Sequence, residues 1–88
     1  MSFTVVWKAL AEEQLAEIWL ASEDRNAVSR TARELEEQLR QRPLEVGESR
    51  DGATRVVMQP PLAVHFDVFE DDRLVVVLSV KGFTTHWM

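Results

Sequence analysis

Leu62-Ala63-Val64-His65-Phe66-Asp67-Val68-Phe69, followed by Glu70-Asp71-Asp72-Arg73 and then Leu74-Val75-Val76-Val77-Leu78-Ser79-Val80, is the stretch on which the fold turns. Its first part alternates. Leu62, Val64, Phe66 and Val68 fall on one side of an extended chain, and Ala63, His65, Asp67 and Phe69 on the other. Such a strand has one buried face and one polar face. Four polar residues make the turn. The run after it is apolar except for Ser79, the pattern of an interior strand. A hairpin of two strands is therefore expected at this end of the chain.

Working back from the hairpin, Thr54 to Met58 reads as a further strand, closed by Gln59-Pro60-Pro61, where proline marks an edge or a strand end. Leu44 to Asp51 reads as irregular, with Gly47 and Gly52 as turn residues. Before it the period changes from two to about 3.6. Val28, Ala32, Leu35 and Leu39 form the apolar stripe of a helix that starts after Asp24, the expected N-cap, and runs to about Arg42, where Pro43 ends it. An earlier helix spans roughly Lys8 to Ala21, with Ala11, Leu15, Ile18 and Trp19 on one face and Glu12, Glu13, Gln14 and Glu17 opposite. The short link between the helices implies an antiparallel hairpin. Phe3 to Trp7, β-branched and aromatic, reads as the opening strand, and Trp7 and Trp19 are expected in the core.

The order β-α-α-β-β-β predicts an α+β domain of two layers, a helix hairpin on one face of an antiparallel sheet, with the other face wholly or partly open. At 88 residues, the chain is expected to be a single domain over 1–88. It has no cysteine, which excludes disulfides and thiol catalysis and fits a reducing compartment. No basic segment precedes an apolar run at the amino terminus, so a cytoplasmic location without a signal peptide is expected. The longest apolar run is too short to cross a bilayer. No metal-ligand spacing and no glycine-rich phosphate loop occur, so no cofactor is expected. The net charge of −5 runs against general nucleic-acid binding, which rests on a basic face.

Four segments together resemble the RelE/ParE family of toxins from bacterial type II toxin–antitoxin pairs. They are the opening strand running into Trp7-Lys8-Ala9-Leu10-Ala11-Glu12-Glu13-Gln14-Leu15, the helix start Asp24-Arg25-Asn26-Ala27-Val28, the segment Pro43-Leu44-Glu45-Val46-Gly47-Glu48-Ser49-Arg50, and the hairpin Val64-His65-Phe66-Asp67-Val68 with its acidic turn and final apolar strand. Their order covers nearly the whole chain. The resemblance implies a RelE/ParE-like fold and a toxin, in some cases a plasmid-stabilisation factor, held inactive by a cognate antitoxin. One branch implies ribosome-dependent mRNA cleavage through basic and aromatic side chains on the open sheet face. The other implies inhibition of DNA gyrase. A degenerate, non-toxic interaction module of the same fold is the competing expectation.

RNA cleavage needs groups that activate a ribose hydroxyl, stabilise phosphate charge and protonate a leaving oxygen. The family's penultimate strand carries an arginine, where this chain has Ala63 and His65. After the last strand only Lys81 and His86 could serve. His65 beside Asp67 would make an acid–base pair; the plain alternative is a half-exposed histidine on a polar face. His86 followed by Trp87 resembles the terminal histidine–aromatic pair of one RelE-like subgroup, against a frayed tail. Arg50 and Arg55 flank a glycine turn and could hold a phosphate, with Glu48 as a base, or could be surface arginines bridging nearby carboxylates. The expected partners are an antitoxin, lodged on a groove beside the helix hairpin or on a sheet edge, and the ribosome with mRNA or gyrase as target. Two copies of the chain could pair through the same surface when the antitoxin is absent.

Overall fold

The computed structural model describes residues 2–83. Two helices, α1 (Ala9–Ala21) and α2 (Arg25–Gln41), follow a first strand, β1 (Thr4–Trp7). Four strands come after them: β2 (Glu48–Asp51), β3 (Thr54–Gln59), β4 (Leu62–Phe69) and β5 (Leu74–Gly82). The spatial order is β1-β5-β4-β3-β2. The helices cover one face of this sheet, giving the expected two-layer α+β architecture. Two details depart from the sequence reading. Glu48–Asp51 is an edge strand paired antiparallel with β3, where an irregular segment was expected. The sheet is mixed, because β1 lies parallel to β5 from Thr4↔Leu74 to Trp7↔Val77, while the other pairings are antiparallel.

The core forms where the alternation of β4 meets the stripe of α2. Leu62, Val64 and Phe66 have no exposed surface, and Val28, Leu35 and Leu39 close over them from the helix side. Burial of these branched side chains supplies most of the stabilisation, each about 1.5–3 kcal/mol relative to exposure. The start of α2 follows its N-cap: the Asp24 carboxylate accepts from the Ala27 backbone N–H at 3.0 Å. Helix α1 has no basic residue in its last turn, and Arg25 supplies one from the neighbouring helix. Its guanidinium donates to the carbonyls of Trp19 and Leu20 at 3.1 and 3.0 Å and stacks 4.6 Å from the centre of the Trp19 ring. Trp19 consequently stands at the surface, 38% exposed, and not in the core. Trp7 keeps its expected place against the core.

Strand β5 changes phase partway along. Val75 and Val77 face the helices opposite Val68 and Phe66; an irregularity then lets Ser79 pair with His65 and Val80 with Val64. Leu78 is the extra residue of this β-bulge. Its effect is to return Val80 to the core while turning Ser79 and Lys81 to the open face. Past Val77, β5 has no β1 beside it, so its outer backbone groups need other partners. The Gln14 side chain reaches from α1 and accepts from the Val80 N–H at 2.8 Å. Replacing Gln14 by Leu leaves that half-buried donor unpaired. The expected loss is about 1–3 kcal/mol, read as a lower urea midpoint, together with faster amide exchange at Val80.

Candidate functional site

Cross-strand partners in an antiparallel ladder share a face, so the register fixes what the open side of the sheet presents. One row across it is Glu48–Val56–His65–Ser79, contributed by β2, β3, β4 and β5 in turn. A neighbouring row is Thr54–Asp67–Val76–Val6, and on the opposite flank lies Met58–Ala63–Lys81. Val56 and Ala63 are buried among their neighbours and make a flat apolar floor. Glu48 and Lys81 are exposed, and His65 and Asp67 are half-buried. Lys81 stands diagonally across from His65, a separation of about 7–8 Å between backbones.

Asp67 accepts a hydrogen bond from the Thr54 hydroxyl, which fixes its carboxylate toward β3. The Nδ1 atom of His65 is buried without a hydrogen-bond partner. An imidazole nitrogen in that condition contributes nothing to stability and costs about 1–3 kcal/mol.

The remaining sequence candidates separate. Arg55 pairs with Phe66 and so belongs to the helix side of the sheet. Its guanidinium donates to the carbonyls of Val46 and Gly47 at 3.2 and 3.1 Å, locking the segment that leads into β2. Arg50 lies in β2, exposed, at the register shift between Ser49 and Asp51, and has no cross-strand partner there. The two arginines therefore do not converge on one ligand. His86 lies outside the described residues, as does Trp87. Among the described residues no group of three or more acidic, histidine or cysteine side chains converges as a metal site would require. Ser79 was not singled out from the sequence, because its place beside His65 depends on the bulge.

A second feature lies on the helix side. Between α1 and α2 runs an open groove of about 520 Å³, walled mainly by Leu15, Ala16, Val28 and Ala32 and ended by Trp7 and Trp19. Its rims carry Glu12, Arg33 and Glu36. At the Trp7 end the indole N–H donates to Glu36 at 2.8 Å, and Arg40 holds the other carboxylate oxygen of Glu36 at 3.1 Å. Trp19 donates its N–H to the Ser29 hydroxyl at 3.1 Å at the other end. Both indoles are thus fixed in orientation while leaving apolar surface toward the groove.

No family model matches the sequence, and no curated protein matches it. Solved structures do. A chain of the RelBE2 toxin–antitoxin complex from Mycobacterium tuberculosis superposes with a TM-score of 0.76 at 18% identity, covering 93% of this chain and 92% of that one. The isolated E. coli RelE toxin superposes at 0.66 with 14% identity, over 96% of this chain and 87% of that one. This chain has the RelE fold. A third similarity, to TrmO from P. aeruginosa, has 26% identity and a TM-score of 0.61, and covers 92% of this chain but 34% of the other. Among the described residues the fold leaves one sheet face without a helix over it and a groove between α1 and α2, the two surfaces described above.

Proposed function

We propose that this chain is the toxin of a type II toxin–antitoxin pair of the RelE/ParE family, neutralised by a cognate antitoxin and arresting growth by cleaving mRNA on the ribosome. The observation that carries the reading is the end-to-end superposition on a chain of a toxin–antitoxin complex. The groove between α1 and α2 gives the antitoxin a place to lodge an amphipathic helix, apolar along its floor with fixed indoles at both ends. The open sheet face supports action on RNA, since the strand register brings Glu48 and His65 into one row and Lys81 into the row beside it. DNA gyrase is the alternative target within the same family.

A second reading is an interaction module without toxicity. Among the described residues Lys81 is the one cation that the register places on the open face, and the chain carries a net charge of −5, both poor for holding phosphates. The similarity to one third of a larger chain supports this reading also, because it puts the fold inside a protein of another name.

Controlled expression in a bacterial host, with pulse labels for protein and DNA synthesis, separates these readings. Growth arrest with protein synthesis falling first is the expected result. Arrest led by loss of DNA synthesis would move the target to gyrase, and continued growth with soluble, folded protein would leave the interaction module.

A further inference from the structure

We infer that two copies of this chain pair through the groove between α1 and α2, each laying its α1 over the other's α2 about a two-fold axis parallel to the groove. The pairing requires neither toxicity nor an antitoxin, and it begins from the unequal outer faces of the two helices. Every exposed position of α2 carries a polar or charged side chain. On α1, by contrast, Ala9, Leu10, Ala16, Trp19 and Leu20 are all exposed, and only Ala11 is fully buried. Leu20, one turn past Ala16, has 61% of its surface in solvent beside the apolar lining of the groove. A helix that stays apolar beyond its core face is suited to being covered on that side. Ala9 and Ala16, two turns apart on the same side of α1, present only methyl groups, so a second helix can approach closely.

The rims select a second copy as the cover. Glu12 stands on the α1 wall and Arg33 on the α2 wall. The first half of α1 lies beside the second half of α2, which puts both charges toward the Trp7 end of the groove. Among the described residues neither forms an ion pair, whereas the neighbouring Glu36 is held by Arg40. Rotation by a half-turn about an axis along the groove exchanges its walls and keeps its ends. Each Glu12 then faces the Arg33 of the second copy, so a single surface supplies both members of both pairs. An axis across the groove would carry Glu12 to the Trp19 end, away from Arg33. The first arrangement also gives each helix antiparallel neighbours, as in a four-helix bundle. Two helix hairpins bury less than a standard interface, under about 1,200 Å² in total, so a dissociation constant on the order of 10 μM is expected. The rim charges set the register of this weak contact more than its strength.

Sedimentation equilibrium of the full chain between about 1 and 200 μM tests the pairing. The variants are Glu12→Arg, Arg33→Glu, the double variant E12R/R33E and Glu34→Arg, each first checked for folding by thermal melting. Glu34 is exposed on the side of α2 opposite Ala32 and serves as the control. Wild type and E34R are expected to pass from monomer to dimer over this range. Each single swap at Glu12 or Arg33 sets like charges against each other twice and is expected to weaken dimerisation at least about tenfold. Two further results are particular to a two-fold contact. The double variant dimerises as wild type does, and an equimolar mixture of the two single variants forms the mixed dimer although neither forms its own. A wild-type chain that stays monomeric throughout overturns the pairing and leaves the groove to a partner of different sequence. Dimers as stable in both single variants as in wild type put the contact on another surface and overturn it equally. Losses in the single variants with no recovery in the mixture overturn the two-fold register. None of these outcomes bears on growth arrest, so failure of the dimer leaves the toxin reading as it stands.

Discussion

Gly47→Ala is expected to destabilise the chain by about 3 kcal/mol or more, while Gly52→Ala, only five residues on, costs about 1 kcal/mol. Both glycines have positive φ, +72° and +57°. That conformation alone costs an L-residue roughly 1–2 kcal/mol, so it cannot separate the two positions. Space does. A Cβ on Gly52 would meet nothing within 4 Å. On Gly47 it would lie 2.2 Å from the Val56 carbonyl oxygen, 2.8 Å from its carbon and 3.1 Å from the Val57 Cα. All three are backbone atoms of an interior strand and cannot rotate away. Either β2 detaches or the segment before it shifts, and a shift breaks the hydrogen bonds from Arg55 to the Val46 and Gly47 carbonyls. Urea titration of the two variants measures the difference directly. Equal losses would mean that β2 and β3 do not approach as closely as described. Because Glu48 follows Gly47 immediately, the same substitution is also expected to disturb the open-face row.

How much of this was legible in the sequence depends on whether the deciding interaction is local. The alternation of β4 and the stripe of α2 are written into period-two and period-3.6 patterns, and Leu62, Val64, Phe66, Val28, Leu35 and Leu39 are buried as those patterns require. Asp24 caps its helix through a contact three residues away, which composition alone reveals. Strand β2 carries no such pattern. Glu48, Ser49, Arg50 and Asp51 are exposed on both sides, so nothing apolar alternates, and only pairing with β3 makes the segment extended. The parallel pairing of β1 was hidden for a related reason: its partner lies some seventy residues along the chain. Trp19 was misplaced because its helical spacing matches a core position, while the cation that stacks on it sits beyond the helix end.

The site divides in the same way. His65 and Asp67 share a face by simple alternation, and that was visible. Glu48 joins their face only through two successive registers, and Ser79 and Lys81 only because Leu78 bulges. Arg55 looked available beside Arg50, yet the register turns it to the other side of the sheet and the loop carbonyls occupy it. Residue types that suit phosphate chemistry were present in the sequence, but the pairing of strands selects which of them can act together.

Phe66→Ala is expected to remove about 3–5 kcal/mol, enough to leave much of the population unfolded at 37 °C. Among the described residues Phe66 is the bulkiest fully buried side chain, on the strand at the centre of the sheet, with β5 and β3 on its two sides. Its cross-strand neighbours are Val77 and Arg55, and the buried side chains of α2 belong to the same core cluster. Removing the ring loses its transfer free energy and leaves a void that a sheet pinned on both edges cannot collapse to fill. A domain of this size has roughly 5–10 kcal/mol in all, so the loss is a large fraction of the whole. Phe66→Leu, which keeps most of the volume, is expected to cost only about 1–1.5 kcal/mol. Thermal melts of the two variants at equal concentration check the ratio. If alanine proves as mild as leucine, the space between β4 and α2 must close by movement of the helix, and the packed contact between the two layers is looser than the burial of Phe66 implies.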